Sequence, residues 1–312
     1  MSTHQTTNTD SDTHQLHCLE VWGGSSAAEH SASVPGLDIS VNSTPFGGVS
    51  GGDIFLISSC SSGWISRILL ADISGHGDAV SELSTKLRRA MHKSINTVDQ
   101  SKLARTLNAA FDEIGGGTKF ATALLMTYYA PLGRLIIVNA GHPPPLLCRA
   151  GTTNWHPIDQ HTPGTLNAPT PEVRIGIRNL PLGVIGNTEY EQIAIKIQQG
   201  DRICAFTDGY TEAKSRDGTL LGLAGLEDIL SSIQQDHAAL PTAELTSMAV
   251  EVIQSRGYEM SGDDFTMLTF THTGESPTRP GLAAVSNMIK NTIGFGHIDT
   301  VASPIPTLAI QS

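Results

Sequence analysis

Between Leu37 and Phe270 the apolar positions fall into two rhythms. Leu37-Asp38-Ile39-Ser40-Val41 alternates as a half-buried strand does, and Ile54 to Ser58 and Trp64 to Asp72 follow at hairpin spacing, which predicts an antiparallel meander. The rhythm then changes. Val80, Leu83, Leu87, Met91 and Ile95 mark one helical face, and Leu103, Leu107, Phe111 and Ile114 mark a second after a turn near Thr97. Two helices with one apolar stripe each must cover a sheet or each other. Phe120 to Tyr129 returns as a strand, Pro131-Leu132-Gly133 turns it into Arg134 to Asn139, and the prolines from Pro143 to Pro145 end the pairing because proline has no N–H to donate. Beyond a proline-rich loop system come strands at Glu191 to Ile197 and Arg202 to Thr207. A short helix over Leu226 to Ile233, a longer one over Leu245 to Ile253 and a last strand from Phe265 to Phe270 complete the series.

Strands mixed with helix pairs predict an α+β fold, a two-sheet antiparallel β-sandwich flanked by helices. The domain is expected over residues 37–272. Residues 1–36 form an N-terminal tail whose polar start has nothing to bury and is expected to be disordered. Residues 273–312 form a second tail, in which Leu282, Val285, Met288, Ile289 and Ile293 suit a short amphipathic helix.

Four strand edges carry a carboxylate next to glycine. Leu69-Leu70-Ala71-Asp72 leads into Ile73-Ser74-Gly75, and Gly51-Gly52-Asp53 precedes Ile54 to Ile57. Ile203 to Thr207 ends on Asp208-Gly209, and Gly262-Asp263-Asp264 leads into Phe265. A carboxylate at the end of a core strand is costly unless something positive compensates it. Carboxylates far apart in sequence that the fold brings together favour a hard cation such as magnesium or manganese, and Asp72 is expected at the centre of the cluster.

The formal charge of −11 argues against a nucleic-acid partner, which would need a basic patch. No apolar run approaches the roughly 20 residues of a membrane span, and the start has no apolar leader, so a cytoplasmic protein is expected. Cys18, Cys60, Cys148 and Cys204 have no paired spacing, so buried thiols are expected rather than disulfides. His14, His17 and Cys18 make only half a zinc site. The glycines at 47, 48, 51 and 52 lack the GK[ST] of a nucleotide loop, and GGDIF departs from the cyclase signature it superficially matches at Ile54.

With these aspartates placed, the sequence resembles the metal-dependent (type 2C-like, PPM) protein serine/threonine phosphatases, in particular the bacterial branch of sporulation and stress-response enzymes that regulate sigma factors. The matching segments are GGD at 51–53, DISGHG at 72–77, ATALLM at 121–126, VNAGHPPPLL at 138–147, PLGV at 181–184, FTDGYTEA at 206–213 and GDDFTMLTF at 262–270. The resemblance implies an αββα architecture and a centre of two Mn2+ or Mg2+ ions. Asp72 would be shared by both, Asp208 and Asp263 would complete one position, and Asp53 and the Ile73 carbonyl the other. It also implies phosphoserine and phosphothreonine hydrolysis by an activated water, with no covalent phosphoenzyme, on a phosphorylated regulatory protein of the anti-sigma factor antagonist type.

Two features depart from the eukaryotic relatives. Ile73-Ser74-Gly75 intervene between Asp72 and His76, so a general-acid role does not transfer to His76, and no arginine precedes the first strand to clamp phosphate. His76 and His142 read as structural, as do Thr122 and Asn139. No sensor domain is recognisable, so control is expected from a regulatory partner, a tail or a homodimer. A catalytically weak phosphatase-fold scaffold and a hydrolase of small phosphate esters are the alternative readings.

Overall fold

The computed structural model of the chain describes residues 13–16, 21–46, 51–60, 63–74, 78–93, 99–115, 119–167, 178–260 and 262–275. Sequence expectations for His17, Cys18, His76, Thr97 and the helix from Leu282 to Ile293 fall outside them. In chain order the strands are β1 (Thr13–Gln15), β2 (Val21–Gly24), β3 (Ala28–Val34), β4 (Leu37–Thr44), β5 (Asp53–Ser59) and β6 (Ile65–Ile73). Helices α1 (Asp78–Lys93) and α2 (Gln100–Gly115) come next, followed by β7 (Ala121–Tyr129), β8 (Arg134–Ala140), β9 (Leu146–Cys148), β10 (Trp155–Pro157), β11 (Thr165–Asn167), β12 (Gln192–Lys196) and β13 (Arg202–Phe206). The chain continues through α3 (Asp208–Thr211), β14 (Lys214–Ser215), α4 (Gly222–Asp236), α5 (Thr242–Ser255), β15 (Tyr258–Glu259) and β16 (Phe265–His272).

The strands form two seven-stranded sheets. One runs β1-β3-β4-β16-β13-β9-β10 and the other β11-β12-β8-β7-β6-β5-β2. Every pairing in them is antiparallel except that of β1 with β3. The sandwich expected from the apolar rhythm is therefore present, and it begins ahead of Leu37. Residues 13–34, expected in the tail, supply three strands, because β3 pairs along the whole of β4 and β2 pairs with β5.

Parity along the strands explains the layering. Phe55, Ile57, Ile68 and Leu70 point between the sheets, where they meet Ile39, Val41, Ile203, Ala205, Leu268 and Phe270. Their alternates Ile54, Leu56, Leu69 and Ala71 pack instead against Val80, Leu83 and Leu87 of α1 and Leu103, Leu107 and Phe111 of α2. Central strands are thus covered on both faces, which is why β5 and most of β6 read as continuous apolar runs rather than alternating ones. The opposite sheet is covered likewise: Phe206 and Met267 pack against Leu226, Ile229 and Leu230 of α4 and Leu245 and Ile253 of α5. The order across the molecule is helices, sheet, sheet, helices. The two covering helices α4 and α5 are nearly equal in length, rather than one short and one long, because α4 extends past its apolar stripe at both ends.

No helix among the described residues is long and apolar enough to cross a membrane. Among the described residues Cys60, Cys148 and Cys204 are buried thiols with no disulfide between them.

Candidate metal centre

The two sheets deliver their carboxylates from neighbouring strand ends. Asp53 opens β5 and stands opposite Asp72 in the β5–β6 ladder, while Asp72 stands opposite Thr122 on β7. From the other sheet, Asp208 begins α3 one residue after β13, and Asp263 and Asp264 lie just ahead of β16, the partner of β13. One side chain joins the two groups: Thr207 Oγ1 donates to Asp53 Oδ2 at 2.7 Å and accepts the Thr266 N–H at 3.0 Å. Ile73, the last residue of β6, is fixed by its N–H on the Gly52 carbonyl at 3.1 Å.

Electrostatics couple these residues without compensation. Burial, followed by the charges of Asp208, Asp263, Asp264 and Glu212, pushes the Asp72 carboxyl up to about 7. Burial also holds Asp53 well above the usual carboxylate range, against the Thr207 hydrogen bond and with further help from Asp72 and Asp264. Asp208 is raised by burial, then by Asp263 and Glu212. Among the described residues no lysine, arginine or histidine figures in any of these three shifts. An all-oxygen donor set whose members disfavour one another's charge is the environment that a hard divalent cation stabilises, so the residues present fit the expected ions.

Two glycines make room for this arrangement. A Cβ at Gly209 would lie 2.3 Å from the Asp264 carbonyl oxygen, and one at Gly51 would lie 2.3 to 2.6 Å from the Asp264 carboxylate. Any larger residue would therefore push apart the segments that carry Asp208, Asp53 and Asp263. As the side chains stand, no three His, Cys, Asp or Glu groups among the described residues converge closely enough to hold an ion. Thr207 holds one oxygen of Asp53, so ion binding would require the other carboxylates to draw toward it.

Asp263 and Asp264 divide the work as alternation along a strand suggests. Asp263 is exposed and its side chain accepts the Asp264 N–H at 2.8 Å. Asp264 is buried and accepts the N–H groups of Phe46, at 2.6 Å, and of Gly52. Asp264 therefore anchors the loop that delivers Asp53, a role the sequence reading missed although the Asp-Asp doublet was its signal. Thr207 and Glu212 were missed as well. Thr207 is a lone hydroxyl in a buried run and Glu212 lies one helical turn beyond Asp208. Ser74 is structural, its carbonyl accepting Lys119 Nζ at 2.8 Å and its hydroxyl the Phe120 N–H at 3.2 Å.

A fold of two face-to-face sheets between helix pairs, with aspartates at the joined strand ends, defines a type 2C-like phosphatase domain. The solved RsbU and RsbW domains of Rv1364c from Mycobacterium tuberculosis share it, with a TM-score of 0.61 and 23% identity over 83% of this chain and 68% of that one. RsbX solved in complex with magnesium shares it too, with a TM-score of 0.53 and 14% identity over 78% of this chain and 99% of that one. Residues 65–273 match the family model of Stage II sporulation protein E (SpoIIE), and the chain belongs to that family, the sigma-regulating branch of the metal-dependent phosphatases. The phosphoserine phosphatase RsbU of Bacillus subtilis (strain 168) is 20% identical over 204 residues, 65% of this chain, and the chain spans 54% of that protein's length.

Proposed function

We propose that the protein is a manganese- or magnesium-dependent serine/threonine phosphatase acting on a phosphorylated regulatory protein of the anti-sigma factor antagonist type. The observation that carries the reading is the placement of Asp53, Asp72 and Asp208 at strand ends where the two sheets meet, each raised first by burial and then by neighbouring carboxylates, with no cation among the causes. In this reading Asp72 would hold the ions together with Asp208 and Asp263 on one side and Asp53 and the Ile73 carbonyl on the other. Bound ions supply charge neutralisation for the phosphoryl group and a water acidic enough to attack phosphorus at neutral pH.

The chain's own residues supply position. Thr207 orients Asp53 by a direct hydrogen bond, Asp264 pins the loop ahead of it, and Gly209 lets the backbone carrying Asp208 close against Asp264. Glu212, through its charge, raises Asp72 and Asp208 further, a cost that a bound cation would offset.

The test is hydrolysis of a phosphoserine peptide by the full chain. Activity is expected with Mn2+ or Mg2+, loss with EDTA and recovery when the metal is restored. Hydrolysis that persists in EDTA, or no hydrolysis under any metal together with no calorimetric ion binding, contradicts the reading.

A further inference from the structure

His142 is built into the molecule more firmly than a loop histidine needs to be. It follows β8 in the turn Asn139-Ala140-Gly141-His142, where Gly141 takes a φ of 69°. Asn139 closes that turn twice: its Nδ2 donates to the His142 carbonyl and its Oδ1 accepts the His142 N–H, both at 2.7 Å. The backbone of His142, and with it the origin of the ring, is therefore set by the second sheet.

The ring, 5% exposed, then reaches toward both sheets. On its own side Nδ1 lies 2.8 Å from Thr122 Oγ1, and Thr122 is the residue opposite Asp72 in the β6–β7 ladder. On the other side Nε2 is buried without a well-formed partner, and the backbone group it faces is that of Phe206. Phe206 ends β13 and is followed directly by Thr207, which holds Asp53, and by Asp208. Burial keeps the imidazole neutral, so it carries one N–H. If the Thr122 hydroxyl donates to Nδ1, that N–H sits on Nε2, and the Phe206 carbonyl is the acceptor it lacks.

We infer that His142 is a positioning residue that ties the two sheets together beside the aspartates, and that its Nε2–H bond to the Phe206 carbonyl forms as divalent ions bind. The inference rests on the metal-dependent reading above. Asp72 belongs to the sheet that fixes His142 and Asp208 follows the strand that carries Phe206, so drawing the two carboxylates toward a shared cation also shortens the gap from Nε2 to Phe206. The bond then stabilises the ion-holding arrangement through a group that touches no ion, as outer partners of metal ligands commonly do.

The experiment is a Mg2+ titration of the full chain, uniformly labelled with 15N, followed in parallel by histidine NMR and calorimetry. The Nε2–H resonance that is missing from His142→Gln identifies His142. It is expected to appear or move downfield and become protected from exchange as Mg2+ saturates. His142→Ala is expected to bind Mg2+ about tenfold more weakly, whereas His142→Gln, whose amide can donate to Phe206 and accept from Thr122, stays within about threefold of the parent. Calorimetric binding with no change in the His142 resonance, or parental affinity in His142→Ala, overturns the inference and leaves the phosphatase reading standing. No ion binding by the parent chain overturns both. Should His142→Ala fail to fold, the parent resonance decides the matter by itself.

Discussion

Asp72→Asn is expected to lower kcat/KM on a phosphoserine peptide by about a thousandfold or more, even at saturating manganese, without unfolding the chain. Asparagine keeps the shape of the side chain but removes the charge that two cations would share. Removing that charge also takes away the repulsion that Asp72 feels from Asp208, Asp263, Asp264 and Glu212. The variant measured in EDTA should therefore resist urea at least as well as the parent, so the lost activity cannot be ascribed to a damaged fold. Asp208→Asn should behave alike, since it carries the same kind of uncompensated charge. Activity within tenfold of the parent in either variant, or a clear loss of urea resistance in Asp72→Asn, counts against the role assigned to these carboxylates.

The second large effect separates two neighbours that look equivalent in the sequence. Asp264→Ala leaves the N–H groups of Phe46 and Gly52 without their acceptor and opens the space against which Gly51 is packed. One backbone donor orphaned in a buried site, and a second in a partly buried one, predict a loss of about 1–3 kcal/mol in urea unfolding. Because the loop they anchor delivers Asp53, manganese affinity should fall as well. Asp263→Ala is expected to do the reverse: its side chain is exposed, so stability should change little, while metal binding and hydrolysis are lost. Equal stabilities for the two variants, or an Asp264→Ala protein as active as the parent, would show that the doublet does not divide the work in this way.

Much of this was legible in the chain because each clue was local. An apolar run halted by a carboxylate and a glycine marks the end of a central strand, and the structure places Asp53, Asp72 and Asp208 at such ends. Helical spacing at Val80, Leu83 and Leu87 likewise marked the face that α1 buries. What escaped was set by contacts distant in sequence. The strand β3 carries Glu29, His30, Ser31 and Ser33 among few apolar residues and buries only Ala32 and Val34 fully, so its pattern gives a weak signal although it pairs along the whole of β4. The hydroxyl of Thr207 shows its purpose only once β13 faces β5 across the sandwich. The anchoring role of Asp264 likewise depends on a loop some 210 positions away.

All these expectations depend on acidic groups from both sheets sharing a pair of divalent ions. The most direct measurement is an anomalous difference map from crystals of the full chain soaked in manganese. Two peaks are predicted, both adjoining Asp72, one reached by Asp208 and Asp263 and the other by Asp53 and the Ile73 carbonyl. Well-ordered carboxylates that remain apart, with no anomalous density between them, would contradict the account.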